Sequence, residues 1–291
     1  MIENYFSRLT AGGYRMSCRK LTAKLLKFSA ITGGIYFLSS FSGFHRKEKW
    51  KKLLGWDYAH RGLHDEEAGI PENSMRAFRD AVQAGYGIEM DVRVTADNRL
   101  VIMHDGNLKR MCGIDRKVSD MTLKQMGELT LAGTDMHIPL FSDVLRMVGG
   151  RVPLIVEIKA DDYEQYRICP LVWKELKDYP GLFCIESFNP LAVQWFLLHH
   201  PRVVRGQLSC DFLAEKIPTG LPMMIVANLM TNFMTLPDFI SYKYTDTYIP
   251  AYQLNRHVWH AMTALWTVRN LPAYRKYKNK ADLIIFEGFR P

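Results

Sequence analysis

The chain has 291 residues, is 48% hydrophobic and 23% charged, and carries a formal net charge of +8. That balance excludes global disorder and leaves room for one or two domains around a sizeable core. Much of the positive charge gathers near the N-terminus (Arg8, Arg15, Arg19, Lys20, Lys24, Lys27, then Arg46, Lys47, Lys49, Lys51 and Lys52). The remainder is near neutral, with no basic stripe or binding motif of the kind a nucleic-acid partner needs.

The N-terminal segment, residues 1–52, is basic and apolar. Its uncharged stretch from Phe28 to Phe44, FSAITGGIYFLSSFSGF, is rich in Ser, Gly and Thr. A spanning helix needs about 20 mainly apolar residues, so the stretch is short of ideal. A single membrane-anchoring helix is the first reading, and it makes the protein membrane-associated. An interfacial or re-entrant anchor and a helix packed on the body are the alternatives. Basic residues on both flanks leave the side of the membrane open. Five cysteines, Cys18, Cys112, Cys169, Cys184 and Cys210, are scattered with no CxxC pair. They read as reduced, mostly buried thiols.

The body, residues 53–291, alternates apolar runs with helix-like stretches, the pattern of a parallel α/β sheet. Candidate strands are 56–60, 87–92, 154–159, 182–187, 203–208, 247–252, 264–268 and 282–287. These eight are the number that closes a (β/α)8 TIM barrel. A further run, Leu100–His104, follows the turn Asp97-Asn98 and reads as a hairpin partner of the second strand. Helices are expected over 74–84 (with Asn73 as N-cap), 141–148, 162–177, 190–199, 232–240 and 255–263. Residues 106–139 break the rhythm and read as a small insertion after the second strand, with a short helix at 122–129.

Polar residues gather at the C-terminal ends of the proposed strands, where barrels of this kind place their sites. Glu89 and Asp91 are two apart on one strand, so both carboxylates face the same way. Glu157 and Lys159 repeat the arrangement on the next barrel strand. Three carboxylates from adjacent strands make a hard-oxygen site suited to Ca²⁺ or Mg²⁺. A buried ion-pair network around Lys159 is the bland alternative, but it leaves two histidines and Arg61 unexplained. His60 and His104 each end a strand and can exchange protons near neutral pH. The other histidines (His45, His64, His137, His199, His200, His257 and His260) have no comparable setting. Arg61 suits phosphate with its planar fork, and Lys159 adds a second positive charge. Trp266 either walls a pocket or packs in the barrel.

These residues sit in AHRG, PENSMRAFRDAVQAG, IEMDVRVTADNRLVIMHD, VEIK, ESFNP and ALWTV. In that order and spacing the chain resembles the glycerophosphodiester phosphodiesterase family from about Tyr58 to its end. The resemblance implies a (β/α) barrel that hydrolyses glycerophosphodiesters to glycerol 3-phosphate and an alcohol. It implies His60 and His104 as the acid–base pair, Glu89, Asp91 and Glu157 as ligands of a divalent cation, and Arg61 and Lys159 as phosphate contacts. The chain departs from the family at its last strand, where a Thr-Asp pair is replaced by Phe286-Glu287. Two other functions stay open. One is a lysophospholipase D-like activity on membrane lipids, suggested by the N-terminus and by the Met-rich stretch LPMMIVANLMTNFMTLPDFISYKY, which reads first as ordinary barrel-helix core. The other is a catalytically inert barrel that binds lipid headgroups.

Overall fold

The computed structural model describes residues 18–43, 47–161, 163–216 and 220–291. Arg8, Arg15, Phe44, His45, Arg46 and Asp162 lie outside the described residues. The chain divides after Ser39 into two compact units.

In the first unit, helix α1 runs Cys18–Ser39. No helix among the described residues is long and apolar enough to cross a membrane. The spanning anchor expected from Phe28 onward is therefore not supported. Lys24 and Lys27 precede the apolar stretch by less than two turns, and Thr32, Gly33 and Gly34 interrupt it, so no long window is apolar throughout. Leu25, Leu26, Phe28, Ile31, Ile35 and Leu38 on this helix are exposed.

In the second unit, eight parallel strands close on themselves. They are β1 (Asp57–Ala59), β2 (Gly87–Val94), β4 (Leu154–Ile158), β5 (Phe183–Ser187), β6 (Arg205–Ser209), β7 (Phe239–Lys243), β8 (Met262–Val268) and β9 (Leu283–Phe286). Each pairs with the next, and β1 pairs with both β9 and β2, which seals the barrel. The ninth strand, β3 (Leu100–Ile102), pairs antiparallel with β2. Asn98 makes that hairpin possible by adopting φ 59°, a left-handed conformation that Asn tolerates.

The principal helices are α2 (Met75–Ala84), α3 (Phe141–Val148), α4 (Gln165–Leu176), α5 (Pro190–His199), α6 (Leu221–Ala227), α7 (Pro250–His257) and α8 (Leu271–Tyr277). Four have proline in their first turn, Pro190, Pro222, Pro250 and Pro272, where a missing N–H costs nothing. The cap of α2 is Ser74, whose hydroxyl accepts from Ala77 N, and not Asn73 as the sequence suggests.

One strand differs from expectation. The stretch 247–252 is β-branched and aromatic in part, but it forms a turn and the start of α7, and Pro250 fixes the helical entry. The sixth barrel strand is Phe239–Lys243 (β7), whose first residues were expected to end a helix. That helix stops at Thr235 because Leu236 turns left-handed at φ 38°.

The floor of the barrel is packed by Tyr58, Ile155, Cys184, Val204, Phe239 and Leu283, with Trp50 and Leu53 closing it from below. The Tyr58 hydroxyl donates to Leu53 O at 2.9 Å, so the buried phenol is satisfied. Gly206 makes room for the Phe239 ring, since a Cβ there would lie 2.3 Å from it. Cys169, Cys184 and Cys210 are buried free thiols. Residues 106–139 carry a small core of their own, with Met111, Val118, Met121, Met126 and Leu131 packed on Val101 and Met103.

The Met-rich stretch divides: its end supplies β7, with Phe239, Ile240 and Tyr242 buried, while its beginning lies outside the core. Helix α6 has no buried residue. Leu221, Met223, Met224, Phe233 and Met234 are all exposed.

Candidate active site

The site begins with a tight turn after β1. Arg61 and Gly62 take φ 55° and 81°. A side chain on Gly62 would meet Ala77 and Phe78 at 2.9 Å, so only glycine lets the turn sit on α2. The turn leaves His60 at the barrel mouth and sends the Arg61 backbone N–H to Glu89 Oε2 at 3.0 Å.

Glu89, Asp91 and Glu157 are all buried, and one oxygen from each lies within 4.8 Å of the others. The pairing of β2 with β4 sets Asp91 beside Glu157. Lys159 Nζ sits 3.0 Å from Asp91 Oδ1 and 2.6 Å from Glu157 Oε1. Asn73 donates to Asp91 Oδ2 at 2.8 Å. Its strained backbone, φ 56°, is held by a bond from its N–H to Arg61 O at 2.9 Å.

A further carboxylate belongs to this wall. Glu186 on β5 pairs in register with Glu157, is 1% exposed, and its Oε2 has no hydrogen-bond partner among the described residues. Four carboxylates therefore face two cations, Arg61 and Lys159, and the consequence is visible in their acidities. Burial and the neighbouring Asp91 and Glu157 charges push Glu89 well above the usual carboxylate range. Burial lifts Glu157 to about 7, and burial with the Glu157 charge lifts Glu186 to about 8. Burial also opposes ionisation of Asp91, but Lys159, His104 and Arg61 outweigh it and hold that group well below its ordinary value. Buried anions in excess of their counter-charges are costly unless a cation joins them. The donor set is all hard oxygen, so a divalent ion such as Ca²⁺ or Mg²⁺ fits Glu89, Asp91 and Glu157.

Each expected histidine has an orienting carboxylate. His60 Nδ1 lies 2.5 Å from Glu287 Oε2, and Arg269 donates to both oxygens of Glu287 at 3.1 and 3.3 Å. His104 Nδ1 lies 2.7 Å from Asp105 Oδ1, and Arg110 bridges Asp105 Oδ2 and Glu72 Oε1 at 2.6 Å each. A carboxylate at Nδ1 fixes the tautomer and leaves Nε2 for chemistry. Burial lowers the His60 pKa, with the Glu287 hydrogen bond opposing. Burial and the Lys159 charge lower His104 to about 4.

Arg61 is not a free arm. Its Nη1 reaches both oxygens of Glu72 at 3.0 Å, and its Nε lies 3.3 Å from Asp91 Oδ2. Trp266 packs against the barrel core and stands edge-on to Phe188 at 5.7 Å. With Phe188 and Leu208 it walls a cavity of about 40 Å³ that also touches His60, Arg61, Glu89, His104, Glu157, Lys159 and Glu186. His104 and Lys159 are shared with an outer cleft of about 630 Å³, whose polar wall includes Arg93, Lys109, Arg110 and Asp115.

The structure thus gathers all eight sequence-proposed residues around one cavity or its immediate wall. Sequence reasoning passed over Glu72, Asp105, Arg110, Glu186 and Glu287 as working parts, and it set His64 aside. Glu186 had a signal: it interrupts an apolar strand two residues after Cys184, as Glu157 does after Ile155. Glu287 had none, because its partner His60 lies 227 residues away in sequence.

Residues 60–194 match the glycerophosphoryl diester phosphodiesterase family. The chain is 32% identical over 193 residues to a glycerophosphodiester phosphodiesterase of Caldanaerobacter subterraneus subsp. tengcongensis, covering 62% of this chain and 78% of that protein. It is 29% identical over 245 residues to Lysophospholipase D GDPD1 of Rattus norvegicus, covering 67% and 71%. The fold is similar to that of a phosphodiesterase of Oleispira antarctica solved with the product sn-glycerol-3-phosphate, at 18% identity and a TM-score of 0.65, covering 81% of this chain and 94% of that one. With a third of the aligned residues shared over most of a named relative, and a (β/α)8 barrel carrying the motif residues at its mouth, the chain belongs to the glycerophosphoryl diester phosphodiesterase family.

Proposed function

We propose that this protein hydrolyses glycerophosphodiesters to glycerol 3-phosphate and an alcohol, with a divalent cation held by Glu89, Asp91 and Glu157. The observation that carries the reading is the pair of carboxylate-oriented histidines, His60–Glu287 and His104–Asp105, beside a buried carboxylate trio. A phosphodiester is a stable anion, and its cleavage needs charge neutralisation, a positioned nucleophile and protonation of the departing oxygen.

Bound there, the cation supplies positive charge to the phosphate and polarises it. Lys159 and Arg61 bring further positive charge to the same wall. One imidazole Nε2 accepts a proton from the attacking water, or from a neighbouring substrate hydroxyl whose cyclic phosphodiester water then opens. The other protonates the leaving alkoxide. Glu287 and Asp105 keep both rings in the tautomer that exposes Nε2 and stabilise the imidazolium when it forms. Phe188, Leu208 and Trp266 limit water around the reacting group.

The test is a panel of soluble glycerophosphodiesters with glycerol 3-phosphate as the measured product, with and without chelator. Turnover that chelator abolishes is expected. Absence of metal-dependent turnover on every diester would favour the inert headgroup-binding barrel instead.

A second reading rests on the exposed apolar surface of residues 221–234. Surface of that kind suits a lipid aggregate, and the activity would then be lysophospholipase D-like on membrane lipids. Comparing turnover of glycerophosphocholine with that of a micellar lysolipid separates the two. In the same sense we propose membrane association through α1, lying at the interface rather than crossing it. Flotation of the full chain with anionic vesicles, compared with a chain lacking residues 1–39, checks this.

A further inference from the structure

The loop after β1 carries a second histidine for which the hydrolytic scheme has no use. The left-handed Arg61–Gly62 turn folds the chain back, and Leu63 N donates to Ala77 O at 2.9 Å. Asp65 and Ile70 then exchange backbone hydrogen bonds at 2.9 and 2.8 Å. His64 is fixed between these two anchors. One donor atom each from His60, His64 and Glu287 lie within 4.8 Å of one another. His64 Nε2 is shut off from solvent and has no hydrogen-bond partner among the described residues. A buried polar nitrogen left bare is unfavourable, and its persistence calls for a ligand that the loop is shaped to receive.

We propose that His60, His64 and Glu287 form a second cation site, separate from the carboxylate trio, which takes a borderline transition ion such as Zn²⁺ and stops hydrolysis. The inhibitory half rests on the reading of His60 as a proton-transfer residue. Two imidazoles and one carboxylate are a common donor set for Zn²⁺, whereas Ca²⁺ and Mg²⁺ favour oxygen ligands throughout. Each residue comes from a different place: His60 from the end of β1, His64 from the loop behind it, and Glu287 from the end of β9. Arg269 already steers the Glu287 carboxylate toward His60.

Inhibition follows from the ring's tautomer. The Nδ1 position now faces Glu287 at 2.5 Å. A cation taken there replaces the Nδ1 proton and leaves the remaining proton on Nε2. The ring can then accept no proton from a nucleophile. It is also neutral, with its one proton on Nε2, and so is a far weaker acid than an imidazolium. Whichever proton His60 handles, the metal removes it from the reaction.

The experiment uses the full chain with Mg²⁺ or Ca²⁺ in excess, so that the carboxylate trio is supplied. Zn²⁺ is then titrated against the wild type, His64→Ala and His64→Gln. Glycerol 3-phosphate release is one readout. Zn²⁺ binding by isothermal titration calorimetry is the other. The wild type should lose activity and bind one Zn²⁺ that the His64 variants do not. The variants should keep their basal turnover and need at least about 10-fold more Zn²⁺ for half-inhibition, as loss of a metal-supporting residue typically costs 10- to 100-fold. Equal Zn²⁺ sensitivity and equal stoichiometry in wild type and variants would overturn the site, and activation by Zn²⁺ would overturn its inhibitory sense. If the wild type cleaves no diester at all, the hydrolase reading fails while calorimetry still decides whether the site exists.

Discussion

Among the described histidines, His60 and His104 each have a carboxylate at hydrogen-bond distance from Nδ1. Glu287 is held down to about 2, because its hydrogen bond and charge contact with His60, and the Arg269 guanidinium, outweigh its own burial. Asp105 is likewise near 2: partial burial raises it, and hydrogen bonds from Arg110 and His104 more than offset that. Replacing either by its amide keeps the shape and removes the charge that supports an imidazolium. Glu287→Gln and Asp105→Asn should each lower kcat by about 10²-fold or more, within the 10²–10⁴-fold range of a proton-transfer group, while KM changes little. Steady-state kinetics on a soluble diester reads both. The Asp105 carboxylate also has a stability consequence. Its folded pKa lies below its ordinary value of 3.8. Its contribution is therefore complete above about pH 4 and is lost as pH falls toward 2. In acid unfolding the wild type should lose stability relative to Asp105→Asn across that window, and parallel acid limbs would show that the pairing is not made in solution. The site was legible in the sequence where chemistry follows from spacing. Glu89 with Asp91, and Glu157 with Lys159, are period-two pairs whose shared face needs no coordinates. Glu287 was noticed only as a departure from a pattern. Its meaning depends on β9 closing next to β1, a contact across 227 residues.

At the scale of elements, the apolar runs located most of the barrel strands but misplaced one. Thr247–Tyr252 has strand-like residues, yet Pro250 is the first residue of α7. Phe239–Lys243 looks like a continuing helix, yet it lies between β6 and β8 with Phe239 facing the floor. Short apolar runs are ambiguous between helix and strand, and only the closure of the sheet resolves them. Phe239 also explains a dependence that no local rule reveals. Its ring occupies the space above Gly206 on the neighbouring strand, where a methyl group would approach to 2.3 Å. Gly206→Ala should therefore destabilise the barrel by about 1–3 kcal/mol through overpacking. Gly206→Ala combined with Phe239→Leu, which trims the ring, should recover part of that loss. Denaturant midpoints of the two variants test this, and an unchanged midpoint in Gly206→Ala would mean that the floor yields more easily than its packing implies. The exposed helix α6 shows the opposite limit. Its composition suits a core, but none of its residues is buried and Leu221, Met223 and Met224 are exposed, so hydrophobicity alone could not report its environment.

For the whole molecule, the mouth of the barrel is where stability and function oppose each other. The floor is an ordinary apolar core, while one layer above it Glu89, Asp91, Glu157 and Glu186 crowd together against Arg61 and Lys159. Such a layer is unfavourable in isolation, because each buried carboxylate raises the cost of ionising the next. A cation that binds the folded barrel and not the unfolded chain should reverse this. Stabilisation by mass action reaches about 2.7 kcal/mol when the free ion stands at 100 times its dissociation constant. Wild-type protein should therefore melt higher in millimolar Ca²⁺ or Mg²⁺ than in chelator. For Glu157→Gln the melting temperature in chelator should exceed that of the wild type, since one repelling charge is gone, and the added ion should raise it much less. Both effects share one cause, so they can be checked in a single set of thermal scans. A wild type indifferent to both ions, or a Glu157→Gln variant that responds as fully as the wild type, would mean that the trio holds its charge by protonation and by Lys159 alone, and a metal-independent route to the phosphate would then have to be sought in the two histidines and their carboxylates.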